Sequence, residues 1–84
     1  RARLAKQLLH LVRSYGVPCL NDGNETRIGL QLAQEELAQL LGASRQRVNQ
    51  ELKSMEREDA IRIEQGGLVI RNRAALMRIA EADS

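Results

Sequence analysis

The side chains best suited to molecular recognition lie between residues 44 and 58, where amides and guanidiniums recur at helical spacing. At about 100° per residue, Val48, Leu52 and Met55 fall on one side of a helix. The opposite side and its flanks carry the polar side chains Arg45, Gln46, Arg47, Asn49, Gln50, Lys53 and Arg57. Arginine can form a two-pronged hydrogen bond with guanine, and glutamine or asparagine can pair with adenine or accept from cytosine. We therefore predict a helix that presents base-contacting groups on its outer face.

The remaining reactive side chains do not form a catalytic or metal-binding set. Cys19 and His10 are the single cysteine and the single histidine, which excludes a disulfide framework, an all-cysteine metal site and a three-histidine site within this chain. Glu35 and Glu36 are adjacent, but neighbouring helical side chains point about 100° apart. No nucleophile or metal ligand accompanies them. We predict that the domain is not an enzyme and holds no catalytic residue, metal or cofactor.

The composition describes one small domain with an aliphatic core. The chain has 84 residues, 43% of them apolar, and Tyr15 is its one aromatic residue. No apolar run reaches the roughly 20 residues that cross a bilayer. The net charge of +2 is small, but residues 1–13, 45–47 and 71–78 carry cations without an acid. Such stretches are either solvated helix faces or contacts to an anionic partner, and the charge alone leaves both open.

The first half of the chain predicts a helix, a turn, a strand and a second helix. Residues 1–15 have helical periodicity that ends at Gly16 and Pro18, with these residues inside: Leu4, Leu8, Leu11, Val12 and Tyr15. Residues 21–24 are typical of a turn, and the alternation over residues 27–32 predicts a strand with a bulge at Gly29.

The second helix is predicted over residues 34–41, with Ala33 at its N-cap and a left-handed Gly42 after it. Glu35 and Glu36 would lie in its first turn, where the helix dipole favours anions. Its buried stripe would be Leu37, Leu40 and Leu41.

The second half predicts a capped helix, a hairpin and a last helix. Ser44 is a good N-cap for a helix that ends near Glu58. Two short strands, residues 61–63 and 68–70, are joined by Gln65, Gly66 and Gly67 as in a hairpin. Asn72 would cap a helix over residues 73–82, and the expected interior residues are Leu76, Ile79, Ala80 and the two methionines, Met55 and Met77.

Two helices joined by a short glycine-containing turn form a helix-turn-helix, here residues 34–58, and the hairpin at residues 61–70 would be its wing. The predicted fold class is mainly α with a small β component. It is a winged helix-turn-helix, with a three-helix core, a β-hairpin wing and a C-terminal helix. Residues 1–84 would be a single winged-helix domain.

The sequence from Leu32 to Leu52, LAQEELAQLLGASRQRVNQEL, resembles the DNA-binding domain of the Crp/Fnr family of bacterial transcription regulators. The similarity continues through Glu56, Ile61 and the wing glycines, and covers about residues 1–72. Its most specific part is the Leu-Ala-x-Leu-Leu-Gly-x-Ser-Arg-x-x-Val pattern that precedes the glycine-turn hairpin.

This resemblance implies a larger protein. Family members carry an N-terminal sensor domain of cyclic-nucleotide-binding type, then a dimerisation helix, then this domain. We therefore expect the chain, which does not begin with Met, to be a fragment lacking the first two, with any effector bound by the sensor domain. The resemblance further implies a cytoplasmic homodimer that binds a two-fold symmetric operator in double-stranded DNA and contacts RNA polymerase.

The resemblance also assigns roles to residues. Base contacts map onto Arg45, Gln46, Asn49 and Gln50. Phosphate contacts map onto Ser44 and Arg47, the start of the second helix at Gln34, Lys53, and the wing residues Gln65, Gly66 and Gly67.

Four departures from the family pattern bear on DNA contact. Gln46 and Gln50 stand where many members have Glu and Arg, so the operator half-site is expected to differ. Ala33 stands where a hydroxyl residue usually caps the helix and touches phosphate, and the wing tip lacks Lys. The alternative function is a winged-helix protein–protein interaction module without DNA binding. The outer helix face disfavours it, since protein interfaces prefer apolar and aromatic anchors.

Overall fold

Four helices and a four-stranded antiparallel sheet make up the fold in the computed structural model, which describes residues 1–19 and 22–82. In chain order the elements are α1 (Ala2–Tyr15), β1 (Val17–Cys19), β2 (Asp22–Gly29), α2 (Leu30–Leu41), α3 (Arg45–Arg57), β3 (Ile61–Glu64), β4 (Gly67–Ile70) and α4 (Arg73–Glu81). The mainly α winged-helix class is confirmed.

The first helix, α1, packs against both α2 and α4. Its predicted stripe is buried except for Tyr15, which is 56% exposed, so the prediction for Tyr15 is wrong. Tyr15 is the last residue of α1, next to the point where the chain leaves the helix. Gly16 has extended backbone, and a Cβ there would collide with the Val12 carbonyl and the Thr26 methyl group. This close approach requires glycine and lets the chain turn into the sheet.

The sheet has the strand order β1-β2-β4-β3, so the wing hairpin is joined to β2 through β4. The predicted turn over residues 21–24 is wrong in part: Asn21 lies outside the described residues, and residues 22–24 belong to β2. The bulge predicted at Gly29 is also wrong, because the register shift lies between Pro18 and Cys19.

The second helix begins at Leu30, four residues before the predicted start, so residues 30–32 are helical and not a strand. Gly29 is the residue before the helix, and Ala33 is buried inside it, so the predicted cap at Ala33 is wrong. Glu35 lies beyond the first turn, which holds no acid. Leu37 is fully buried but Leu40 is 53% exposed, which corrects the predicted stripe.

The later elements follow the sequence prediction closely. Asn72 caps α4 by accepting from the Ala75 amide at 3.0 Å. Met55 is fully buried, whereas Met77 is 46% exposed on α4 and is not a core residue. The fully buried aliphatic side chains of α1, α2, α3, α4 and the sheet form one core: Leu4, Leu8, Ile28, Leu37, Val48, Leu52, Met55, Ile61, Leu68, Ile70 and Leu76.

Candidate nucleic-acid interface

The turn between α2 and α3 fixes the direction in which α3 leaves. Gly42 is left-handed, with φ of 63°, as predicted. The Ala43 amide donates back to the Ala38 carbonyl at 3.0 Å, which closes the end of α2 in the manner of a Schellman turn. Ser44 Oγ then accepts from the Arg47 amide at 3.1 Å and caps α3. The two helices are thus joined with both helix ends satisfied.

The inner side of α3 anchors it to the domain. Val48, Leu52 and Met55 each have no exposed surface. The polar side chains predicted for base contact therefore lie on the remaining circumference: Arg45, Gln46 and Gln50 are exposed and Asn49 is half-buried. Together with the exposed Lys53, these five residues form what we call the α3 face.

A glutamine from α2 connects two members of the α3 face. Arg45 Nη2 donates to Gln34 Oε1 at 2.9 Å, and Gln34 Nε2 donates to Asn49 Oδ1 at 2.6 Å. Arg45 and Asn49 are one helical turn apart, so both can reach the same side chain on the neighbouring helix. Gln34 was expected only as a phosphate contact. Its contact with Asn49 spans 15 residues and has no signal in helical periodicity.

The cations of the α3 face are largely free of acids. Among the side chains that the structure describes, Arg45 and Lys53 form no ion pair. Arg47, at the edge of this face, lies 3.6 Å from Glu51 through Nε and Oε2, but its side chain is 71% exposed. These positive charges are therefore available to an anionic partner.

Two hydrogen bonds to backbone groups of the wing join it to α3 and to α2. Glu56 Oε2 accepts from the Ile63 amide at 2.7 Å, and the Leu30 amide donates to the Gly66 carbonyl at 3.2 Å. Gly66 has φ of 73°, which its place in the hairpin turn requires. The predicted wing residues Gln65 and Gly66 are exposed, whereas Gly67 is buried in β4.

The sequence prediction missed a cation at the wing. The Arg27 guanidinium from β2 covers Gly67, where a Cβ would overlap it. The pairing that brings them together matches Gly29 with Gly67 across β2 and β4. A long-range strand pairing of this kind left no local pattern to detect. Arg27 thus adds positive charge to a wing that lacks lysine at its tip.

A cleft of about 510 Å³ separates the start of α1 from the helix-turn-helix turn. Arg3 and Arg47 line it together with Ser44. Arg3 is exposed, and among the described side chains it has no acidic partner. Nearby, the hydrogen bond from the Arg1 side chain lowers the pKa of Glu58. Arg3 was visible in the sequence as part of an acid-free segment, but its closeness to the turn was not.

The other chemically reactive residues stay apart. Within residues 1–19 and 22–82, no three His, Cys, Asp or Glu side chains lie close enough to hold a metal ion. Cys19 is half-buried on β1 and His10 is exposed on α1. In the same part of the chain, no helix is long and apolar enough to cross a membrane.

Comparison with known proteins agrees with this arrangement. The chain matches the Crp-like helix-turn-helix domain over residues 2–79. It is 40% identical over 78 residues to CRP-like cAMP-activated global transcriptional regulators from two strains of Mycobacterium tuberculosis. That similarity covers 93% of this chain and 34% of each relative. The chain thus spans about a third of the length of these relatives.

Solved structures share the fold. Oxidized CprK in complex with o-chlorophenolacetic acid superposes with a TM-score of 0.71 at 20% sequence identity, over 95% of this chain and 32% of that one. Unbound oxidised CprK gives a TM-score of 0.67 at 19% identity, over 92% of this chain and 36% of that one. Family match, sequence relatives and fold agree: the chain belongs to the Crp-like helix-turn-helix family, a family of DNA-binding transcription regulators and not of enzymes.

Proposed function

We propose that this domain binds DNA sequence-specifically, with α3 in the major groove and the wing on the phosphate backbone. The observation that carries the proposal is the α3 face. Its donor-rich side chains have no acidic partner in the described part of the chain, and they project from a helix anchored by three fully buried residues. The major groove admits one α-helix, and the side chains near its N-terminal end reach the base edges. Base contacts are proposed for Arg45, Gln46, Asn49 and Gln50.

Contacts to the DNA phosphate backbone would lie on both sides of α3. Phosphate contacts are proposed at the start of α3 and on its outer side through Ser44, Arg47 and Lys53, and on α2 through Gln34. The second Nε2 hydrogen of Gln34 is not used by Asn49 and is free for this purpose. The wing would contribute the backbone amides of the exposed Gln65 and Gly66. At the buried Gly67 the phosphate contact would be made by Arg27, whose guanidinium covers that glycine. Such contacts fix the position of α3 but carry no sequence information.

The regulator as a whole is proposed by analogy with the longer relatives. A sensor domain and a dimerisation helix would precede residue 1, and two copies of the winged helix would occupy half-sites roughly 34 Å apart. The two-fold operator, the contact with RNA polymerase and the cytoplasmic location belong to this proposal. A single domain makes few contacts, so dimerisation would supply much of the affinity.

The test is a binding selection with the 84-residue chain, alone and joined at residue 1 to a dimeric coiled coil. Fluorescence anisotropy against a randomised inverted-repeat duplex pool is measured at two salt concentrations, and the bound fraction is sequenced. An enriched palindrome with a steep salt dependence would support the proposal. Binding no stronger than that of a basic control protein at low salt would refute it and favour a protein-contact module.

The matched control for this selection is a surface arginine whose described ion pairs involve no residue of α3. Arg62→Ala removes a cation that faces Glu25 and Glu64, and it should leave the enriched sequence unchanged. Gln46→Ala with Gln50→Ala removes two uncharged members of the α3 face and should abolish enrichment at the base pairs they contact. Loss of affinity in Arg62→Ala, with the enriched sequence unchanged in the double glutamine variant, would mean that charge, and not the α3 face, drives binding.

A further inference from the structure

We infer that Gln34 is a positioning residue that determines which chemical group Asn49 presents to a base pair. The inference rests on the proposed DNA binding and adds a rule for specificity at one position of the half-site. It starts from the two hydrogen bonds that join Arg45, Gln34 and Asn49 in series.

The orientation of both amides follows from the arginine. A guanidinium has only donors, so the end of Gln34 that faces Arg45 at 2.9 Å must be the carbonyl oxygen. The other end of Gln34 is then the amino group, which can only donate. Asn49 lies 2.6 Å from that amino group and must turn its own oxygen toward it. The Nδ2 amino group of Asn49 is left for an outside partner.

Gln34 is well placed to hold this orientation. It lies on α2 between Ala33 and Leu37, both of which are fully buried, so its backbone is fixed against the core. Its contact with Asn49 is part-buried, which shields the hydrogen bond from water. Arg45 keeps its other donors, so it remains able to form a two-pronged contact with guanine.

The consequence is an asparagine that presents its donor more readily than its acceptor. A two-pronged asparagine–adenine pair needs Oδ1 to accept from N6 while Nδ2 donates to N7. Gln34 occupies one of the two lone pairs of Asn49 Oδ1 and turns that oxygen toward α2, so Oδ1 is poorly placed to accept from N6 as well. The free amino group instead matches base edges that present acceptors, which are O6 and N7 of guanine, O4 of thymine and N7 of adenine. Cytosine presents only the N4 donor at this edge and is disfavoured, and adenine keeps one hydrogen bond through N7 but loses the second one through N6.

The experiment converts the orientation into a measurable base preference. Competition binding uses the selected operator with all four base pairs placed at the position where Asn49→Ala abolishes discrimination. Gln34→Glu keeps an acceptor for Arg45 but loses the donor to Asn49, so Asn49 must rotate its amino group inward and expose Oδ1. Asn49→Asp, which presents only acceptors, shows that the assay detects such a change. Gln39→Glu adds the same charge at an exposed position of α2 and serves as the control.

The wild-type chain should favour guanine or thymine over cytosine by about three- to tenfold, as expected for one hydrogen bond, and should not prefer adenine to guanine or thymine. Gln34→Glu should reverse that order, Gln34→Met should reduce it to less than about twofold, and Gln39→Glu should leave it intact. A wild-type preference for adenine, or an unchanged order in Gln34→Glu beside a changed one in Asn49→Asp, would overturn the inference alone. Failure of the wild type to select any operator would overturn the proposed function as well. Circular dichroism of each variant verifies that it folds.

Discussion

Two surfaces of this domain carry arginines, and they differ in what those arginines face. On the sheet, Arg62 Nη2 lies 3.3 Å from Glu25 Oε1, and Arg71 Nη1 lies 3.1 Å from Asp59 Oδ1. We call this group the sheet cluster: Glu25, Asp59, Arg62, Glu64 and Arg71. On the α3 face, Arg45 instead contacts the neutral Gln34. One surface has its positive charge neutralised by side chains of the domain, and the other does not.

The difference shows why a net charge of +2 predicts little about a partner. The sheet cluster combines two cations with three acids, so a phosphate would have to displace carboxylates to bind there. On the α3 face, Arg45 and Asn49 contact the amide of Gln34, and no described carboxylate pairs with Arg45 or Lys53. Affinity for DNA comes from cations that release counterions on binding, and only unpaired cations do so at no cost in existing contacts. The two surfaces differ in whether their cations form ion pairs, and not in how many cations they carry.

The largest expected effect tests whether the side chains of the α3 face contribute to the free energy of unfolding. Leu52 is fully buried beneath it, and Leu52→Ala should lower the free energy of unfolding by about 2–5 kcal/mol because it leaves a cavity in the core. Its exposed neighbour is the control: Lys53→Ala should change stability by less than about 0.5 kcal/mol. Urea unfolding followed by circular dichroism measures both. A stability loss above that limit for Lys53→Ala would show that the outer face also holds the fold together.

The next effect tests the assignment of base contacts. Gln50→Ala should cost about 1–3 kcal/mol of binding free energy on the preferred operator and should relax the preference at one base pair. Its exposed side chain has no described partner within the domain, so stability should be unaffected. Competition binding with single-base operator variants provides the measurement. An equal loss on every sequence would assign Gln50 to the backbone instead.

For the sheet cluster we expect a mutation to change stability and to leave DNA binding unchanged. Glu25 is 15% exposed and lies within 4 Å of both Arg62 and Arg71. Glu25→Gln should lower the free energy of unfolding by about 1 kcal/mol, because two partly exposed arginines lose their shared partner. Operator affinity should not change. Urea unfolding and anisotropy on the same samples give both values, and a marked gain in operator affinity would show that the sheet cluster restrains DNA binding.

The helix that carries the α3 face could be predicted from the sequence because its determinants are local. Ser44 supplies the cap, Gly42 supplies the left-handed residue before it, and the Val48, Leu52 and Met55 spacing defines its inner side. The turn at the wing glycines and the helix cap at Asn72 have equally local determinants. Each of these features depends on backbone geometry within about one helical turn.

The start of α2 could not be predicted, because Leu30 and Leu32 fit the strand period as well as the helix period. The hydrogen bond between the Leu30 amide and the Gly66 carbonyl, from a turn 36 residues later, belongs to the helical alternative. The contact between Gln34 and Asn49 and the contact between Arg27 and Gly67 could not be predicted from the sequence either. These contacts join separate elements through particular rotamers, and neither composition nor periodicity encodes them.

The smallest expected effect compares Arg47, which lies at the edge of the α3 face and 3.6 Å from one carboxylate, with Arg62 of the sheet cluster, which faces two. Arg47 is 71% exposed, and Arg47→Ala should shallow the dependence of log affinity on log salt concentration by about one, because one phosphate contact is lost. The loss of affinity should be similar on all sequences. Arg62→Ala should leave the slope unchanged, since Arg62 already faces two carboxylates. Anisotropy titrations at four salt concentrations measure each slope. If Arg62→Ala shallowed the slope as much as Arg47→Ala, ion-paired arginines would exchange their carboxylates for phosphates at little cost, and pairing would no longer distinguish the sheet cluster from the α3 face.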